Sequence, residues 1–208
     1  MSIYLEVLLG YTTPMEIKAL LTIIATILVF VGYAPYLRDT IKGKTRPHIF
    51  SFFLWSLTTF IIFFLQIKNG GGIGSWITVA IGLMTFITFL LSLKNGKRDI
   101  RKIDIVFLCL ALLTIPIWLI AKQPIISISL LVLIDIFAFI PSMRKSWVDP
   151  WSETLSYYLI NTLRHGLNVF ALLNITVITA LSPAIGVLFN SIFIVILLLQ
   201  RSKIKKPD

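Results

Sequence analysis

The chain has 208 residues, of which 57% are hydrophobic and only 13% are charged. Such a composition excludes a water-soluble globular domain, in which about a quarter of the residues are charged. The formal net charge of +10 would suggest a nucleic-acid partner for a soluble protein, but in a membrane protein it marks cytoplasmic loops and the anionic lipid beneath them. We therefore expect an integral membrane protein whose partner is the lipid bilayer, with no nucleic acid.

Apolar runs of the length that a bilayer-spanning helix needs occupy most of the chain. Residues 1–16 are predicted to be a lead-in, because their apolar stretch is too brief for a signal peptide and no basic region precedes it. The predicted fold is an all-α polytopic membrane protein with seven transmembrane helices, at residues 17–34, 48–67, 73–93, 104–121, 124–140, 152–173 and 176–200.

The basic residues fall mainly on one side of this arrangement. Fifteen of the nineteen lysines and arginines lie in the loops after the first, third and fifth spans and in the C-terminal tail. Only Lys18, Lys68 and Lys122 fall on the other side, and Arg164 lies inside a span. By the positive-inside rule, the N-terminus is outside and the C-terminus is cytoplasmic. We predict a prokaryotic plasma membrane as the location.

A proline-containing segment occurs twice in the chain. Residues 32–55 read GYAPYLRDTIKGKTRPHIFSFFLW, and residues 137–158 read FAFIPSMRKSWVDPWSETLSYY. Pro35 corresponds to Pro141 and Pro47 to Pro150. A repeat of this length indicates a duplicated multi-helix unit, a layout common in transporters. The predicted units are a lead-in at 1–16, a three-helix repeat at 17–93, a basic loop and connector helix at 94–123, a second three-helix repeat at 124–200 and a basic tail at 201–208.

The four prolines allow two interpretations. Within a helix, proline removes a backbone hydrogen bond and bends the axis, so the symmetric set Pro35, Pro47, Pro141 and Pro150 is predicted to act as hinges at the cytoplasmic ends. Alternatively, Pro47 and Pro150 only begin their helices, since proline is tolerated in the first turn.

Polar residues recur at helical spacing in every span except the fourth. A polar stripe on a membrane helix faces protein or a water-filled cavity, so we expect a polar path between two helix bundles. Trp55 is expected either to stack a solute ring or simply to pack. The residues predicted to bind a solute near the midplane are Trp55, Thr58, Asn161, Arg164, Asn168 and Asn190.

Two ionisable residues, Asp135 and Arg164, lie near the predicted midplane. A lone charge there costs several kcal/mol, so we expect Asp135 and Arg164 to pair. The pair would be a structural lock or, alternatively, a functional site with Arg164 as substrate anchor and Asp135 as a proton-coupling acid. His165 is a candidate proton relay. No metal-ligand spacing and no catalytic constellation are present, so we expect neither a metal site, a cofactor nor enzymatic activity.

The two proline-containing turns and the three-one-three layout resemble the PQ-loop superfamily, which includes the SWEET sugar transporters, lysosomal amino-acid exporters and the ER-retention-signal receptors. The topology matches over nearly the whole chain, whereas the namesake Pro-Gln pair reads Pro35-Tyr36 and Pro141-Ser142 here. The resemblance implies a hinge set at the four prolines and a mid-membrane substrate site between the bundles.

Two functions follow as hypotheses. The first is a secondary transporter or facilitator of a small polar solute (a sugar, an amino acid or an organic anion) that works by alternating access. The alternative is a membrane receptor or scaffold on the same fold, which would bind its partner at the basic cytoplasmic turns, residues 38–46 and 94–102.

Overall fold

A computed structural model describes residues 14–95, 100–120 and 123–205, and these residues form seven α-helices. These residues contain no β-strand. Two 3₁₀ turns, Gly72–Gly74 and Pro150–Ser152, precede α3 and α6. The helices are α1 (Pro14–Ile41), α2 (Ile49–Lys68), α3 (Ser75–Asn95), α4 (Lys102–Ile120), α5 (Pro124–Val148), α6 (Leu155–Ala171) and α7 (Val177–Lys203).

Five of these helices, α1, α2, α3, α5 and α7, are long and apolar enough to cross a membrane. The outer surface of the bundle agrees with this assignment, because large apolar side chains such as Leu20, Ile27 and Phe30 on α1 are about half exposed. The interior holds many buried hydroxyl, amide and charged groups. In a bilayer, helices associate through such polar contacts and close packing, since lipid tails are as apolar as the helices themselves. The prediction of an all-helical integral membrane protein is confirmed.

Two helix ends differ from the sequence prediction. Runs 17–34 and 124–140 were expected to stop before Pro35 and Pro141, but α1 continues to Ile41 and α5 to Val148. Proline removes one backbone hydrogen bond from a helix and can bend the axis without ending the helix, as in α1 and α5. By contrast, Pro47 lies two residues before α2, and Pro150 begins the 3₁₀ turn before α6. Pro35 and Pro141 thus lie inside α-helices, whereas Pro47 and Pro150 lie outside them.

The helices pack in a regular pattern. α3 contacts both α1 and α2, and in the same way α7 contacts both α5 and α6. These two groups of three meet where α1 packs on α6 and where α2 packs on α5. α4 packs mainly on α5. The interior between the two groups holds the candidate site.

Candidate functional site

A cavity of about 70 Å³ lies between the two groups of helices. Its walls come from α1, α2, α3, α5, α6 and α7. The polar groups on its walls are mostly hydroxyls and amides, and Ile81, Phe139 and Ile185 add apolar surface. A mostly apolar cavity with a few converging polar groups is the usual form of a small-molecule site. The lining residues are Tyr33, Trp55, Thr59, Thr78, Ile81, Thr85, Asp135, Phe139, Tyr157, Tyr158, Asn161, Arg164, His165, Asn168, Ser182, Pro183, Ile185, Gly186 and Asn190.

Most residues that the polar stripes selected line this cavity. α6 contributes the largest group, because Asn161, Arg164 and Asn168 recur at steps of three and four and therefore share one helix face. Thr58 is the exception: its side chain is fully buried behind the wall and donates a hydrogen bond to Asp135. The predicted residues found on the wall are Trp55, Asp135, Asn161, Arg164, His165, Asn168 and Asn190.

Arg164 is 1% exposed and is only partly satisfied by hydrogen bonds. Its Nε and Nη2 atoms donate to Asn161 Oδ1 at 3.1 and 2.9 Å. Nη2 also lies 2.9 Å from His165 Nε2. Its Nη1 atom is buried and has no hydrogen-bond partner in the described part of the chain. A buried guanidinium donor without a partner costs free energy, so this atom is free to bind a solute or water.

His165 and Asn168 add two more unpaired atoms beside Arg164. A guanidinium can only donate hydrogen bonds, so His165 Nε2 accepts from Arg164 and the imidazole proton lies on Nδ1. That Nδ1 atom and Asn168 Oδ1 are buried, and neither has a hydrogen-bond partner among the described residues. This face of α6 therefore presents two unsatisfied donors and one unsatisfied acceptor next to the cavity.

Asp135 lies on the opposite wall, eleven residues into α5 and hence about 16 Å along the helix axis. Its Oδ1 atom accepts a hydrogen bond of 2.5 Å from the Thr58 hydroxyl. Its backbone carbonyl accepts from Trp55 Nε1 at 3.4 Å. Both contacts tie α5 to α2 across the boundary between the two groups of helices.

The expected ion pair between Asp135 and Arg164 is not formed. The ion pairs of residues 14–95, 100–120 and 123–205 do not include either side chain. The prediction assumed that α5 and α6 are direct neighbours, but α7 packs against both of them. Asp135 and Arg164 therefore line the same cavity without an ion pair between them.

Aromatic side chains cover the end of the cavity nearer the basic loops, here called the basic end. The Tyr157 hydroxyl donates to the Tyr33 hydroxyl at 2.9 Å, and this joins α6 to α1. The Tyr158 and Phe193 rings stack with centroids 4.0 Å apart. The Trp55 and Phe139 rings meet at 4.6 Å and join α2 to α5. These rings separate the cavity from the loops at the basic end.

A buried carboxylate, Glu153, lies beyond the aromatic layer. It accepts hydrogen bonds from Tyr36 at 3.0 Å and from Tyr158 at 2.9 Å. It also pairs with Lys145 at 2.5 Å, and both partners of this ion pair are almost fully buried. We refer to Glu153, Lys145, Tyr36 and Tyr158 as the Glu153 cluster. Through Tyr36 the cluster connects α1 with α5 and α6.

The two proline-containing loops contact each other next to the Glu153 cluster. The Arg46 guanidinium pairs with Asp149, and the Arg46 backbone N–H donates to the Ser152 carbonyl at 3.0 Å. Thr45 and Thr154 share a hydrogen bond of 2.6 Å. Each contact joins one proline-containing loop to the other, so the basic end is closed.

A second buried acid, Asp104, anchors α4 at the basic end. Arg144 on α5 donates to both carboxylate oxygens of Asp104, at 2.8 and 2.7 Å. His48, just before α2, lies 3.4 Å from the same carboxylate. Burial lowers the pKa of His48 to about 4, although Asp104 opposes this shift. His48 is therefore neutral at pH 7.

The opposite end of the cavity is bridged by side-chain and backbone contacts. Gln66 on α2 accepts from Thr78 at 2.6 Å and donates to the Thr179 carbonyl of α7 at 2.8 Å. The Leu173 N–H donates to the Gly71 carbonyl at 3.1 Å. A Cβ atom at Gly74 would lie 2.6 Å from the Ala171 carbonyl oxygen, so this approach requires glycine.

Sequence reasoning missed Glu153, Lys145 and Asp104 as buried residues. Lys145 was counted only as a loop charge, and Asp104 only as the start of a span. The sequence did contain one signal that the two loops meet: Arg46 directly precedes Pro47, Asp149 directly precedes Pro150, and the two residues carry opposite charges.

Comparisons of the chain with protein-family models, curated proteins and solved structures found no match.

Proposed function

We propose that this protein is a secondary transporter or facilitator that carries a small polar solute by alternating access. The observation that carries the proposal is the cavity itself. Six helices line it, both groups of three contribute, and charged and amide side chains face it without full hydrogen bonding. Transporters with repeated folds bind substrate at the interface between their repeats, near the bilayer midplane.

We also propose that all seven helices span the membrane as two three-helix repeats, with α4 as connector. The matching contacts of α3 and α7 with their partner helices support this division. The same arrangement supports the resemblance to the PQ-loop superfamily. The proposed units are residues 17–93 and 124–200, and the distribution of basic residues is the basis for placing the N-terminus outside and the C-terminus in the cytoplasm.

The contacts at the two ends of the cavity are candidate gates. The Glu153 cluster and the paired loops close the basic end, whereas Gln66 and the Gly71–Leu173 backbone contact bridge the opposite end. Alternating access requires that one set breaks while the other holds. Pro35 and Pro141 lie inside α1 and α5 near the basic end, where a bent helix can move relative to its partners. Pro47 lies just before α2, Pro150 begins the 3₁₀ turn before α6, and each would move with the helix that follows it.

The test is transport by the purified protein in proteoliposomes, with a panel of radiolabelled sugars, amino acids and organic acids. We expect accumulation of one class and its loss in Arg164→Ala. Ser129→Ala is the matched control, because Ser129 is an exposed residue on α5 whose hydroxyl bonds only its own helix. Lack of transport of every solute would contradict the proposal. Loss of function on neutralising the exposed loop residues Lys42 and Lys44, with Arg164→Ala unaffected, would favour the receptor alternative.

A further inference from the structure

We infer that the solute is a zwitterion of the α-amino-acid type, an inference that rests on the proposed transport function. The cavity is lined by a basic and an acidic side chain, Arg164 and Asp135, that are not paired with each other. A buried charge without compensation is unfavourable, most of all within a membrane. A ligand that carries one charge of each sign compensates both side chains at once.

The carboxylate of such a ligand has its partners on α6. Arg164 Nη1 is buried and has no hydrogen-bond partner among the described residues. The N–H at His165 Nδ1 is also buried and has no partner there. Both are donors, and a guanidinium is the preferred partner of a carboxylate. Arg164 is held in place by Asn161 and His165, so the ligand meets a preorganised group.

The ammonium group of the ligand has acceptors on two helices. Asp135 accepts from Thr58 through Oδ1 and has no basic partner within the described residues. Asn168 Oδ1 is a buried acceptor with no partner there, one helical turn from Arg164. An ammonium has three donors and no acceptor, which suits these two oxygens.

Other solute classes fit the same walls less well. A sugar would leave the charge of Arg164 uncompensated. A simple organic anion would satisfy Arg164 but would bring no ammonium donor to Asp135 or to Asn168 Oδ1. Trp55, Phe139 and Ile185 supply apolar wall for a side chain, so we place the side chain of the amino acid against them.

The experiment measures binding to the full-length protein in lipid nanodiscs. Each of the twenty L-amino acids is tested by thermal shift and then by equilibrium binding, alongside glucose and succinate. For the best ligand, the deaminated acid and the decarboxylated amine of the same carbon skeleton follow. We expect each analogue to bind at least about 30-fold more weakly than the amino acid, because the amine leaves Arg164 without a carboxylate and the acid leaves Asp135 and Asn168 without an ammonium donor.

Two variants test which side chain binds the carboxylate of the ligand and which binds its ammonium group. In Arg164→Gln, the amine should bind about as well as the amino acid, because the carboxylate no longer has its partner. In Asp135→Asn, the deaminated acid should bind about as well as the amino acid, because the ammonium group no longer has its carboxylate partner. Lys203→Gln, which removes an exposed charge near the end of α7, should leave every ratio unchanged. The analogue comparison uses wild-type protein alone, so it decides the question even if Arg164→Gln does not fold.

The outcomes separate this inference from the proposed transport function. Binding of glucose or succinate without binding of any amino acid contradicts the inference of a zwitterionic solute but is compatible with the proposed transport function. Binding of either analogue within threefold of the amino acid also overturns it. Absence of binding together with absence of transport of every solute overturns both.

Discussion

The contact between Gly186 and His165 gives the sharpest test of the site geometry. A Cβ atom added at Gly186 on α7 would lie 2.7 Å from both His165 Cε1 and Nδ1, closer than side chains approach. The His165 ring cannot simply turn aside, since its Nε2 accepts from Arg164 at 2.9 Å. Gly186→Ala must therefore displace either the ring or α7. Overpacking of this kind costs about 1–3 kcal/mol.

Gly166 is the matched control on the neighbouring helix. A Cβ atom added there meets nothing within 4 Å. Alanine is a better helix former than glycine by up to about 1 kcal/mol, and any such gain is smaller where the unfolded state in detergent keeps its helices. We therefore expect Gly166→Ala to range from neutral to slightly stabilising, so that the two alanine variants differ by about 1–4 kcal/mol.

The assay is reversible unfolding in mixed detergent micelles, followed by circular dichroism. The double variant Gly186→Ala with His165→Ala should recover part of the loss, because the clashing ring is gone, and this non-additivity is the specific signature. Equal stability of Gly186→Ala and Gly166→Ala would refute the reasoning. So would a Gly186→Ala defect that persists unchanged in the His165→Ala background.

Three further predictions concern buried polar groups. Glu153→Gln should lower the free energy of unfolding by about 3–5 kcal/mol, because it leaves Lys145 buried and uncompensated, and Glu153→Met with Lys145→Met should recover most of it in the same micelle assay. Thr58→Val should cost about 1.5–3 kcal/mol by removing the hydroxyl that bonds Asp135, whereas Thr58→Ser should cost less. The pKa of His48 near 4 lies below that of an unfolded histidine, about 6.5, so stability is full above pH 6.5 and falls as the pH drops toward 4. The free energy of unfolding of the wild type should fall by up to about 2 kcal/mol between pH 6.5 and 5. His48→Gln should lack that component. Parallel pH profiles for the two proteins would contradict the lowered pKa of His48.

The helices were predictable from the sequence because apolar runs, loop charges and polar spacing all report on single elements. The stripe on α6 identified Asn161, Arg164 and Asn168 as cavity residues because one helix face is fixed by residue spacing alone. The order in which helices pack is not encoded in this way. With α7 in contact with both α5 and α6, the assumption that Asp135 reaches Arg164 was wrong.

Opposite charges at equivalent positions of the two proline-containing loops hold the basic end of the cavity closed. An exact repeat would place two arginines, or two aspartates, before the second prolines, and like charges would repel where the loops meet. Here Arg46 faces Asp149, and the adjacent Thr45 and Thr154 share a hydrogen bond. Glu153 adds a buried negative charge in the second loop only, and Lys145 donates both to it and to the Arg46 carbonyl. The differences between the two loops thus supply the attraction that holds the basic end closed, and part of it comes from the partly exposed pair Arg46 and Asp149.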